Sequence, residues 1–244
     1  MNWLNLFSAK RFGISKSVPL AQTRSRFEQD YDRIIFSHPF RKLQDKTQVF
    51  PMPEDDFVHS RLTHSLEVSS VGRSLAKEVG KIILSNNEAL RASGIKYQDF
   101  GDVVSAACLA HDLGNPPFGH SGEQSISSFF LNTEQGRFFE SKVEPAEWSD
   151  LINFEGNAQG FRILTNPNHG GLSLTYSTLA TFTKYPLSSA SKKVPARQSQ
   201  HKYGFFNNNF TYFETIAEEL QLKKISETTW LRPVSYTHLR AHET

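Results

Sequence analysis

One cysteine, Cys108, in a chain of 244 residues excludes an internal disulfide and any thiolate metal cluster built from this chain alone. Charge of one sign is also lacking. Lys and Arg number 27 against 25 Asp and Glu, a net charge of +2, which is too little to draw nucleic acid by bulk attraction. Any basic site must come from local clustering. No apolar run approaches the about 20 residues that cross a bilayer, so membrane insertion is excluded. The first residues, Met1 to Gly13, lack the basic-then-apolar order of a secretory signal, and a cytoplasmic protein is expected. Internal repeats, heptads and low-complexity tracts are absent as well. What remains is a globular composition, 38% hydrophobic and 21% charged, on a chain long enough for one large or two small domains.

Apolar periodicity is mostly helical, and no strand alternation matches it, so the class expected is all-α. One helix is predicted after Ser60 as N-cap, with an apolar stripe through Leu62, Leu66, Val71, Leu75, Val79 and Ile82–Ile83, stopping at Asn86–Asn87. A second runs from Asp102 to Leu113 and is ended by Gly114-Asn115-Pro116-Pro117. A third is expected to follow Ser121, which has capping-box spacing to Gln124. Shorter helices are predicted over Asn157 to Leu164 and Phe213 to Leu222. From Lys184 to Phe213 the chain has Lys184, Lys192, Lys193, Arg197 and Lys202 and no acidic residue. That stretch reads either as a solvated loop or as a segment facing phosphate.

Three of the nine histidines sit where they can do chemistry. His111 lies four residues after Ala107, which continues the apolar stripe inward, and Asp112 follows it at once. An imidazole and a carboxylate buried together need a partner. A divalent metal is one, and a hydrogen-bonded core pair is the structural alternative. His64 lies three residues after Arg61 on the first helix, which places a guanidinium beside an imidazole and suits an anionic substrate. Imidazole and carboxylate ligands favour Mg, Mn, Fe, Co, Ni or Zn without choosing among them. His120 and Glu123 are three apart at the entry to the third helix, where the carboxylate can orient the imidazole for general acid catalysis or serve only the helix dipole.

The segments Arg61-Leu62-Thr63-His64 and His111 to Glu123 (HDLGNPPFGHSGE) resemble the HD-domain metallophosphohydrolases, and within them the deoxyguanosinetriphosphate triphosphohydrolases. Asp30 to Ser37, Phe40 to Phe50, Asn153 to Gln159 and Leu174 to Tyr176 resemble further signatures of that group in the same order, from about Ser25 to Arg232. The resemblance implies a helical HD fold that hydrolyses a deoxynucleoside triphosphate, dGTP first, to deoxynucleoside and triphosphate. It implies His64, His111 and Asp112 as metal ligands, and His120 with Glu123 as the catalytic pair. Arg61, Lys184 and Lys202 are implied as phosphate contacts, and Gln44, Asn157 and Tyr185 as sugar or phosphate contacts. A homo-oligomer is implied for a full-length member.

The chain departs from the group near its end. A fourth metal ligand, an aspartate in an Ala-Asp-Asp-type helix, is expected after Trp230-Leu231-Arg232, yet Asp150 is the only aspartate after Asp112 and precedes the Asn153 to Gln159 motif. Residues 1–232 are therefore expected to be the N-terminal part of an HD-type domain, weak or inactive alone. Residues 233–244 have no amphipathic period and are expected to be a non-family, artefactual tail resembling translated adapter sequence; a short true C terminus is the competing reading. Two rival functions remain open. One is an HD-type nucleotidase or phosphodiesterase. The other is a nucleotide- or single-strand-binding module in which Tyr203, Phe205 and Phe206 stack bases on a basic segment.

Overall fold

The computed structural model describes residues 2–14, 24–47, 60–166, 171–191 and 202–231. Among the described residues run α1 (Trp3–Leu6), α2 (Arg26–Ile35), α3 (His38–Arg41), α4 (Arg61–Ser85), α5 (Glu88–Ala92), α6 (Tyr97–Ala110), α7 (Gly119–Asn132), α8 (Glu134–Arg137), α9 (Pro145–Ile152), α10 (Gly156–Thr165), α11 (Tyr176–Phe182) and α12 (Phe210–Glu219). An antiparallel ribbon of β1 (Lys224–Ser226) and β2 (Thr229–Trp230) is the one sheet among them. The all-α expectation holds, with that ribbon as a small addition. Arg232 and the tail 233–244 lie outside the described residues, as do Lys192, Lys193 and Arg197 of the basic stretch.

α6 is the hub, with α4, α2 and α11 packed around it. It begins at Tyr97, earlier than the predicted Asp102, because the Lys96 N–H donates to Asp99 Oδ2 at 2.8 Å and closes the first turn. Phe100, Gly101 and every residue from Val103 to Ala110 are buried, as expected of a helix covered on several sides. The helix ends at Ala110, and the predicted last turn to Leu113 is a series of tight turns instead.

α4 starts where the sequence places it, with Ser60 Oγ accepting from the Thr63 N–H at 3.3 Å, and ends at Asn86. Its buried face follows the predicted apolar stripe only in part: Leu62, Leu66 and Ile83 are half-buried against the core, but they are not the most buried residues. The residues turned inward are Arg61, Ser65, Ser69, Gly72, Ala76 and Gly80, while Val71, Val79 and Ile82 are 56, 45 and 63% exposed. The cause is close approach. A Cβ on Gly72 would lie 2.8 Å from Cys108 Sγ, and one on Gly80 2.9 Å from the Phe100 ring, so only small side chains fit between α4 and α6.

α7 also starts differently. Its N-cap is Phe118, not Ser121, with Phe118 and Gly119 both left-handed at φ 63° and 53°. This reversal after Pro116-Pro117 puts His120 in the first turn of the helix. α10 and α12 begin at Gly156 and Phe210, one and three residues before the predicted starts. The main core gathers around Phe161, Phe205, Phe213 and Trp230, where Phe205 and Phe213 stack at 4.5 Å between centroids. The N-terminal segment is tied in by a buried ion pair, Arg11 Nη1 to Asp30 Oδ1 at 2.6 Å, and Asp30 Oδ2 accepts from the Thr175 N–H and hydroxyl at 2.9 and 2.6 Å.

Candidate active site

The end of α6 and the beginning of α4 meet at the site. His64, His111 and Asp112 each offer a ligand atom, all within 4.8 Å of one another, as the sequence predicted. The His111 ring approaches the Cys108 carbonyl oxygen with Nδ1 at 2.7 Å, which fixes the tautomer: Nδ1 carries the proton and donates, and Nε2 keeps its lone pair for the site. The His64 and His111 rings lie edge to face at 5.2 Å. Asp112 is buried and held on both oxygens. Arg61 Nη1 donates to Oδ2 at 2.9 Å, and Asn115 Nδ2 donates to Oδ1 at 2.5 Å. Two imidazoles, one with its tautomer set, and an ionisable carboxylate form a donor set that fits Mg, Mn, Fe, Co, Ni or Zn, and the metal's identity stays open.

Arg61 therefore does more than face an anion: its guanidinium neutralises the buried Asp112 carboxylate. Its Nη2 lies against the turn into α7, 3.1 Å from where a Cβ on Gly119 would stand. Lys46 Nζ donates to the Asn115 carbonyl oxygen at 2.7 Å, adding a second cation, and partial burial holds its ammonium below the usual lysine range.

His120 and Glu123 do come together, with His120 Nδ1 2.7 Å from Glu123 Oε2. The His120 side chain is 70% exposed and the Glu123 side chain 11%, so the dyad presents its imidazole outward on a buried carboxylate. Glu123 Oε1 in turn accepts from the Gly156 N–H at 2.8 Å. This crossing is crowded: a Cβ on Gly156 would lie 2.2 Å from Asn115 Oδ1 and 2.8 Å from Glu123 Oε1. One glycine thus touches both the residue that holds Asp112 and the residue that holds His120. Asn115, Glu155 and Gly156 were not singled out in the sequence, although all three lie in the quoted motifs; only the packing of α10 against the turn after α6 reveals their roles.

Glu155 is buried and caps α10. Its Oε2 accepts from the backbone N–H groups of Asn157 and Ala158 at 2.8 and 3.2 Å, and its Oε1 from Asn157 Nδ2 at 2.7 Å. Burial pushes this carboxyl up to about 7; the Asn157 side-chain bond lowers it, the nearby Glu123 raises it and Lys202 lowers it. Asn157 is thus bonded to Glu155, and the Lys202 charge is near enough to act on the same carboxyl. The segment bearing Lys184 and Tyr185 runs beside the one after Lys202, through the Ser188–Phe205 bridge and a Gly204 N–H donated to the Leu187 carbonyl at 3.1 Å. Tyr185 is buried, with Lys184 Nζ 4.9 Å from its ring centre. Gln44 is exposed on the 3-10 turn Lys42–Asp45. The base-stacking platform fails on burial. Tyr203, Phe205 and Phe206 are all buried, Phe205 in the main core and the other two against Ala158, so they have no free face for bases.

A His-Asp pair closing a buried helix, with a further histidine from a neighbouring helix, is the arrangement of an HD domain, and residues 61–155 match the HD domain family. Residues 61–155 thus form an HD domain, and the chain as a whole is similar to the deoxyguanosinetriphosphate triphosphohydrolase-like proteins. It is 47% identical over 231 residues to a protein of that name from Synechocystis, covering 91% of this chain and 52% of the relative. It is 43% identical to one from Pseudomonas aeruginosa, covering 97% of this chain and 53% of the relative. A deoxyguanosinetriphosphate triphosphohydrolase from Salmonella schwarzengrund is 34% identical over 237 residues, covering 84% and 46%. The chain spans about half the length of the curated relatives it matches. No helix among the described residues is long and apolar enough to cross a membrane.

Proposed function

We propose that this chain carries the metal and dyad portion of a hydrolase that cleaves a deoxynucleoside triphosphate, dGTP first, into deoxynucleoside and intact triphosphate. The observation that supports this best is the pairing of the His64, His111 and Asp112 group with the Glu123-backed His120 through a single crossing at Gly156. A bound divalent ion would polarise the α-phosphate and neutralise its charge. Everything else falls to the chain's own side chains. Arg61, Lys184 and Lys202 supply cations for the phosphates, with Asn157, Tyr185 and Gln44 as further contacts. Glu123 holds His120 by Nδ1, which leaves Nε2 to deliver a proton to the departing 5′ oxygen while water attacks the α-phosphorus.

A homo-oligomer and a cytoplasmic setting, in which Cys108 stays a thiol, complete the reading. Among the described residues the metal group has three protein ligands, and slow turnover is expected from these 244 residues. The test supplies dGTP and Mn to the chain and resolves the products by ion-exchange chromatography. Triphosphate release that disappears in both His111→Ala and His120→Ala is expected. Monophosphate or inorganic phosphate as first product would favour the HD-type nucleotidase or phosphodiesterase instead.

A further inference from the structure

Glu155 has no part in the reaction just described, yet it is a buried carboxyl placed where phosphates are read. Its two oxygens have different work. Oε2 takes both backbone N–H groups at the start of α10, while Oε1 takes only the Asn157 carboxamide nitrogen. A carboxylate can only accept, so an ionised Glu155 obliges Asn157 to turn its nitrogen inward. A proton on Oε1 reverses that demand and leaves the Oε2 cap of the helix untouched.

We propose that Glu155 is a positioning residue for the phosphate end of the site: protonated at Oε1, it donates to Asn157 Oδ1, so the carboxamide turns over and offers both N–H groups to a polyanion. The proton comes from bulk solvent and returns there when the polyanion leaves. The inference rests on the reading of Asn157 and Lys202 as phosphate contacts.

The surroundings make the coupling strong. Glu123 faces Glu155 from α7 and carries the His120 imidazole on its far oxygen. Lys202 is the cation acting on Glu155, Tyr203 lies beside it with a hydroxyl that has no partner among the described residues, and Asp150 of α9 acts on that hydroxyl. A polyanion on Lys202 engages the cation that offsets Glu155 and adds negative charge beside two carboxyls. Glu155 then takes up a proton, and by reciprocity a proton on Glu155 strengthens polyanion binding.

Inorganic triphosphate is the probe, with the 244-residue chain and its Glu155→Gln variant, whose side-chain amide mimics the protonated acid. Calorimetry in buffers of different ionisation enthalpy measures proton uptake. At pH 8 the wild type should take up a proton that the variant does not, and the ratio of variant to wild-type affinity should rise about fivefold between pH 7 and pH 8 for full coupling. A ratio independent of pH overturns the proposal, because a purely structural cap weakens binding equally throughout. The wild type alone gives a second reading: the Asn157 side-chain amide signals in nitrogen-15 NMR should titrate with a midpoint near 7. Signals that do not move overturn it even if triphosphate binds. Signals that titrate in a protein that binds no triphosphate at any pH overturn the phosphate assignment, and the coupling with it.

Discussion

Asp112 shows how much of this site depends on partners rather than on the ligands themselves. It is buried, yet both oxygens are occupied by donors, Arg61 on one and Asn115 on the other. Removing the guanidinium leaves an uncompensated buried charge, so Arg61→Ala is expected to cost the metal-free protein about 3–5 kcal/mol in urea unfolding. A loss below about 1 kcal/mol would mean that water already solvates the pair. Asn115 acts differently, because it aims one oxygen without carrying charge. Asn115→Ala should weaken Mn binding by about 10–100-fold in calorimetry while the fold survives, the usual cost of losing a group that orients a ligand. Arg61 and His64 could be picked from the chain by their spacing, and His111 with Asp112 by their adjacency. Asn115 reads in the sequence only as part of a helix stop, since nothing local tells that its amide returns to the carboxylate three residues earlier.

The helices bring these residues within reach, and α4 against α6 is the contact that matters most. Its inward face is small at Gly72 and Gly80, because the Cys108 and Phe100 side chains of α6 come too near for anything larger. Helix propensity alone predicts that Gly72→Ala stabilises by about 1 kcal/mol. The close approach reverses the sign: Gly72→Ala should destabilise by about 1–3 kcal/mol, because the added methyl meets Cys108 Sγ at 2.8 Å. Val71→Ser, one residue away on the exposed face, should change stability by no more than about 0.5 kcal/mol. Thermal unfolding of the two variants decides between propensity and packing. The sequence located α4 to the residue at its start but not the centre of its buried face, with Leu62, Leu66 and Ile83 only half-buried beside it, because apolar periodicity reports large side chains and a glycine-lined interface has none.

Among the described residues the carboxyls of Asp30, Asp99, Asp102 and Glu155 are pushed upward, each mainly by burial, Asp102 to about 6 and Glu155 to about 7; Asp99 and Glu28 also raise Asp102, and Arg73 and Lys77 lower it. Between about pH 4 and pH 7 the folded chain binds more protons than the unfolded one, so stability should fall as pH rises through that window. Urea midpoints across it, compared with Asp102→Asn and Glu155→Gln, should show the slope shrinking in each variant; an unchanged slope removes these groups as its cause. Mn should raise the thermal midpoint of the wild type and leave that of His111→Ala unmoved, since an ion that binds only the folded state stabilises it by mass action. The amino-acid sequence by itself determined the helical class, the capped start of α4, the Arg61–His64 spacing, the His111–Asp112 adjacency and the spacing of His120 and Glu123, because each is written in residues a few positions apart. The tertiary structure decided what spans the chain. It set which face of α4 is buried, brought His64 to His111 and Asp112, tied Gly156 to Asn115 and Glu123, put Glu155 within reach of the Lys202 charge and buried the aromatics of the basic stretch. Those outcomes depend on how closely distant backbones approach, and local pattern carries no record of that distance.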